Sequence, residues 1–141
     1  MKMEFDSRLE NEAFARTSVV AFLMPLDLSM EEIIEIKTIL AEAVVNAMIH
    51  GYDSRDDGLI TLEASYDDDY VYLHIHDNGE GINDIEQAMQ PMYTSKKYME
   101  RSGMGMTIMK TFADEFQIES ECGKGCDIHI KKKISHGSQT M

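Results

Sequence analysis

The sequence predicts an α+β fold, a two-layer sandwich in which strands pair mostly antiparallel and helices stack on one face. Three observations carry that expectation. Leu59 to Tyr66 and Tyr70 to Asp77 read as strands on either side of the short acidic turn Asp67, Asp68 and Asp69, which marks a hairpin. Gln117 to Cys122 and Asp127 to Lys133 form a second such pair across a Gly-Lys-Gly turn. Elsewhere the apolar spacing is helical, most clearly from Ile36 to Tyr52. The order strand, helix, helix, two strands, loop, helix, two strands gives the two layers.

In chain order, Lys2 to Arg8 alternates weakly, as an edge strand does. Glu10 and Asn11 offer a cap for a helix from Glu12 to Met24, with Phe14, Val19, Phe22 and Leu23 as its buried face. Pro25, Asp27 and Ser29 mark a turn, and Ser29 with Glu32 has capping-box spacing for a second, longer helix that closes at His50 and Gly51. Tyr52 to Gly58 is loop. From Asn78 to Gly103 periodicity is lost apart from a helical turn near Asp84 to Ala88, and a segment so long and irregular in a small domain is typically functional. Gly105 to Phe116 resumes helical spacing through Ile108, Met109, Phe112 and Phe116. The expected domain is therefore 1–134, followed by a polar, disordered tail, 135–141.

A chain of 141 residues with 43% hydrophobic content can bury a core without disulfides or a structural metal. Its formal charge of -13 sets it against nucleic acid or an anionic membrane as direct partner and leaves room for a basic protein. No signal-like segment or apolar run of about 20 residues is present, so a cytoplasmic location is expected, with Cys122 and Cys126 reduced.

The second helix carries the first functional candidate. Glu35, Thr38, Glu42, Asn46 and His50 share about a third of its circumference, while Leu40, Ala43, Val44, Ala47 and Met48 make the rest apolar. A carboxylate and a carboxamide set in such a helix need polar company. Two readings stay open: a magnesium ion with a phosphate ligand, which suits the hard oxygens of Glu42 and Asn46, or a satisfied hydrogen-bond network.

Asp77 ends a strand whose Val71, Leu73 and Ile75 face one side and whose Tyr72, His74 and His76 face the other, so the period of two aims its carboxylate inward. Asn78, Gly79, Glu80, Gly81 and Ile82 follow, and the two glycines let backbone come close to a ligand. Asp77 can accept a hydrogen bond from an exocyclic amine such as that of adenine, or can cap its own turn. His74 and His76 read most simply as solvated. Arg101, Ser102, Gly103, Met104, Gly105 and Met106 run directly into a helix, whose first amides can bind phosphate, with Arg101 supplying a planar fork of donors or lying as an ordinary surface residue. Thr94, Ser95, Lys96 and Lys97 add hydroxyls and positive charge, which alone is an ordinary solvated turn. P-loop, complete GxGxxG and eukaryotic-type kinase signatures are missing.

Together, Glu42-x-x-x-Asn46, Asp77-x-Gly79-x-Gly81 and Gly103-x-Gly105 resemble the asparagine box and two glycine boxes of the GHKL ATP-binding superfamily. NEAFAR at Asn11, EIKTILAEAVVNAMIHGY at Glu35, DNGEGI at Asp77 and QPMYTSKKYMERSGMGMTIMKTF at Gln90 are similar to the small bacterial anti-sigma serine kinases of sporulation, over nearly the whole chain. The resemblance implies a Bergerat fold holding ATP or ADP and Mg²⁺ between the helices and a lid. By position it implies Asn46 as the Mg²⁺ ligand, Asp77 as the adenine contact, and Gly79 and Gly81 as the turn beside the nucleotide. Gly103 and Gly105 become the lid hinge and phosphate amides, in a nucleotide-contacting set that also takes in Thr94, Ser95, Lys96, Ser102, Met104 and Met106. Arg101 becomes the γ-phosphate contact and Glu42 the base for a partner's serine hydroxyl. The implied partners are a sigma factor, an anti-sigma antagonist protein and a second copy of the chain, with Arg16 on the partner surface or simply solvated. A sigma-sequestering nucleotide binder without productive transfer is the alternative. Cys126 stands where the family usually has Thr, and a thiol is a poorer hydrogen-bond partner than a hydroxyl.

Overall fold

A computed structural model describes residues 1–79, 105–121 and 124–134. Five strands, β1 Lys2–Asp6, β2 Leu59–Tyr66, β3 Tyr70–Asp77, β4 Glu115–Glu121 and β5 Gly125–Lys133, make one antiparallel sheet in the order β1-β2-β3-β5-β4. The β2 and β3 boundaries are those the alternation predicts, because each strand has one face in the core: Ile60, Leu62, Val71, Leu73 and Ile75 are all buried.

Helix α1 spans Glu10–Phe22 and helix α2 spans Met30–Asn46. The predicted capping box is present: the Ser29 hydroxyl accepts from the Glu32 amide and the Glu32 carboxylate accepts from the Ser29 amide. Such a cap contributes about 1 kcal/mol to fixing where α2 begins. Ile36, Ile39, Leu40 and Val44 of α2 pack into the same core as the inner face of the sheet. Helix α3, Gly105–Phe112, adds Met106 and Met109. Lys132 on β5 is buried and donates to the Glu35 carboxylate at 2.8 Å and to the Phe112 carbonyl at 2.9 Å, tying α2 and the end of α3 to the sheet.

Four expectations are corrected. Helix α1 buries Glu12, Ala15 and Val19, which leaves Phe14 on the opposite side and 63% exposed. Its start carries no side-chain cap; the Asn11 amide donates instead to the Asp6 carbonyl. The third helix ends at Phe112, and Phe116 already belongs to β4, where alternation with Ile118 replaces helical spacing. The polar stripe on α2 is shallower than an apolar helix all round would make it: Glu42 and Asn46 are half-buried and Lys37 is exposed. The turn near Asp84 to Ala88, the long loop beyond Gly79 and the tail lie outside the described residues.

Candidate functional site

Helix α2 widens after Asn46 into a single π-helical turn, Ala47–Gly51, that sequence periodicity does not distinguish from a continuing α-helix. Such turns break the regular ladder and concentrate where a helix is fitted to a site. This one brings Gly51 against the end of β3. A Cβ at Gly51 would stand 2.7 Å from Asp77 Oδ1, and one at Gly79 would stand 1.9 Å from the Gly51 carbonyl oxygen. Glycine is required at Gly79 by close backbone approach and at Gly51 by the Asp77 carboxylate packed against it. Tyr52, next in the chain, is buried and locks the corner: its hydroxyl donates to the Leu59 carbonyl and accepts from the Asn78 amide at 2.8 Å.

Asp77 lies at that corner and is 3% exposed, as the strand period predicts. Its Oδ1 accepts the Gly79 amide at 2.9 Å, so the turn-capping role is real. Burial raises its pKa to about 6, opposed by the Gly79 hydrogen bond and by the neighbouring His76. A carboxyl in such surroundings is suited to meeting a neutral donor group. Opposite Asp77 in the β3–β5 ladder is Cys126, also buried, and desolvation together with the Asp77 charge pushes its thiol up to about 12. It is therefore a neutral, inert group facing the carboxylate.

Asn46 closes the α-helical part of α2 one turn beyond Glu42, both half-buried on the polar stripe. The amide oxygen of Asn46 is a hard donor of the kind magnesium takes. Gly105 and Met106 are buried at the first turn of α3. Gly81, Thr94, Ser95, Lys96, Arg101, Ser102, Gly103 and Met104 lie outside the described residues. Arg16 is half-buried and pairs with Glu12 at 3.1 Å.

His74 and His76 are not simply solvated. Both are bonded to Asp127, His74 through Nε2 at 2.7 Å and His76 through Nδ1 at 2.9 Å. Burial pulls the His76 pKa down, but bonds to Asn78 and Asp127 outweigh it and leave the pKa above the ordinary value. Gly51, Tyr52 and the Asp127 network escaped sequence reasoning. Gly51 alone had a signal there, as the glycine that closes the helix.

The sequence model of the histidine kinase-like ATPase domain family matches residues 5–132, and the chain belongs to that family. Membership makes nucleotide the ligand class of this fold. Within the family the chain is a homologue of the anti-sigma F factors. It is 51% identical to that of Clostridium beijerinckii over 96% of this chain and 94% of the relative, and 48% identical to that of Geobacillus kaustophilus over 96% and 92%. The structure of the RsbU and RsbW domains of a Mycobacterium tuberculosis protein superposes with a TM-score of 0.63 at 14% identity, covering 95% of this chain and 32% of that one, a likeness of fold. Among the described residues no helix is long and apolar enough to cross a membrane.

Proposed function

We propose that residues 1–134 form a single domain that binds and restrains a sigma factor and, as an ATP-dependent protein serine kinase, phosphorylates the antagonist of that restraint. The observation that supports it most is the 51% identity to an anti-sigma F factor across nearly the full length of both chains. The geometry is compatible: a buried carboxyl, Asp77, at a corner pared down to glycine, with Glu42 and Asn46 on the facing helix.

In this reading Asp77 accepts the exocyclic amine of adenine, and Gly79 and Gly81 keep the backbone clear of the base. Asn46 holds magnesium, which when bound neutralises phosphate charge. The amides from Gly103 to Met106 and the side chains of Thr94, Ser95, Lys96, Ser102 and Arg101 surround the phosphates. Glu42 takes the proton from the attacking serine hydroxyl. Phosphoryl transfer asks chiefly for positioning and charge neutralisation, so a base, a metal and an arginine suffice. A second copy of the chain completes the working unit, and Arg16 belongs to the partner-facing surface.

The test is incubation of the purified protein with labelled ATP, Mg²⁺ and the candidate antagonist. Acid-stable label on an antagonist serine is the expected result. Acid-labile label would make the protein a histidine kinase. No label, with sigma binding intact, would leave a sequestering protein.

A further inference from the structure

The face of the sheet away from the helices carries a side-chain cluster that the nucleotide reading does not use. His74 on β3 and His129 on β5 are cross-strand partners, and their rings stack with centroids 4.2 Å apart and 6° between planes. Asp127 is two residues from His129 on the same strand and therefore on the same face. One ligand atom from each of His74, Asp127 and His129 can be chosen so that all lie within 4.8 Å of one another. All three side chains are half-buried, which restrains them without closing them off.

We propose that His74, Asp127 and His129 bind a transition-metal dication of the zinc type. Two imidazoles and one carboxylate are the ligand set of borderline metals such as Zn²⁺ and Co²⁺, and they discriminate against Mg²⁺, which takes oxygen. Tetrahedral coordination at about 2.0–2.2 Å places ligand atoms about 3.4 Å apart. The 2.7 Å pair of His74 Nε2 and Asp127 therefore opens by roughly 0.7 Å, the widest separation, at most 4.8 Å, closes by up to roughly 1.4 Å, and the stacked imidazoles turn so that their nitrogens converge. Three protein ligands leave a position for water.

The groups around the cluster are those such a centre requires. Glu63, opposite His74 on β2, stands 3.2 Å from Nδ1 of that histidine. It accepts a hydrogen bond from Nδ1–H, which keeps the proton on Nδ1 and leaves Nε2, the atom 2.7 Å from Asp127, with its lone pair for the metal. A carboxylate behind a ligating imidazole fixes both tautomer and ring orientation. On the other side, His76 bridges the Asp127 and Asn78 side-chain oxygens at 2.9 and 2.8 Å, so it orients the ligating carboxylate. The assembly spans β2, β3 and β5, and bound metal would clamp the β3–β5 pair one to three register steps from Asp77 and Cys126.

The probe is Co²⁺, and then Zn²⁺, added to the full-length chain in the presence of excess Mg²⁺. The expected result is one ion per chain with visible d–d absorption and no thiolate charge-transfer band. At a hundredfold excess over Kd, zinc should raise Tm by roughly 8 °C. His74→Asn and His129→Asn should abolish binding. Glu63→Gln, which removes no ligand and leaves the fold undisturbed, should weaken it roughly ten- to hundredfold. A thiolate band, displacement by Mg²⁺, binding that survives both histidine substitutions, or no binding at all would each overturn the proposal.

Discussion

Gly51 and Asp77 meet with no space for a side chain between them: a Cβ on Gly51 would stand 2.7 Å from Oδ1 of Asp77. The relationship joins the π-helical end of α2 to the end of β3, and the buried carboxyl is positioned by it. At Gly79 the obstacle would be backbone, the Gly51 carbonyl oxygen at 1.9 Å. Overpacking of this kind costs about 1–3 kcal/mol where a side chain can give way and more where backbone must move. Gly79→Ala should therefore lower the urea midpoint more than Gly51→Ala, and both should weaken nucleotide binding. Equal midpoints for the two variants and the parent chain would mean that this corner is looser than described.

The pH dependence of stability follows from Asp77. Its carboxyl has a pKa of about 6 when folded against 3.8 as the reference for the unfolded chain. Between those values the folded state holds a proton that the unfolded state has released, so stability falls as pH rises through that window. The loss amounts to about 3 kcal/mol once pH is above both values. Asp77→Asn removes it. The stability of the variant relative to the parent chain should thus increase between about pH 4 and about pH 7, measured by urea unfolding without nucleotide. An unchanged difference would mean that Asp77 ionises at no cost.

Legibility in the sequence tracks how local each cause is. The β2–β3 hairpin was readable because alternation and an acidic turn are both written within a few residues, and the inward aim of Asp77 follows from the same period. The capping box of Ser29 and Glu32 was readable for the same reason. Phe116 misled because it continues the spacing of Phe112, and only its pairing with Ile130 on β5 assigns it to a strand. Phe14 misled because an apolar residue is free to lie on either face of a helix whose buried face also holds Glu12. The π-helical turn, the contact of Gly51 with Asp77, and the cross-strand set of His74, His76, Asp127 and His129 depend on register between distant segments, which no local pattern encodes. Of the candidate site, motif spacing singles out Glu42, Asn46, Asp77 and Gly79, whereas Gly51 and Tyr52 emerge only from the packing at the end of β3.

Glu42 tests the proposed chemistry. Glu42→Gln keeps the size and hydrogen-bonding reach of the side chain and removes the base, so nucleotide binding should persist while transfer to the antagonist serine falls by about 10²–10⁴-fold. Calorimetry with Mg·ATP and single-turnover labelling measure the two separately. Unchanged transfer would take Glu42 out of the base role; loss of binding along with transfer would make it a ligand-holding residue.

Lys132 provides a test of how the helical layer is held to the sheet. Its ammonium group is inside the protein, with side-chain exposure of 9% against 25% for its partner Glu35. The two positions are therefore unequal. Glu35→Ala leaves a buried cation with, among the described residues, the Phe112 carbonyl alone, and stranding a charge in this way costs roughly 3 kcal/mol. Lys132→Met keeps the apolar stem and removes the charge, while the more exposed Glu35 can turn to water, so the loss should be smaller. In the double variant neither charge remains to be stranded, and much of the stability lost in Glu35→Ala should return. Chemical unfolding of the three variants decides it. Were Lys132→Met the more damaging, the ion pair itself, and not the burial of its cation, would be what joins α2 to β5.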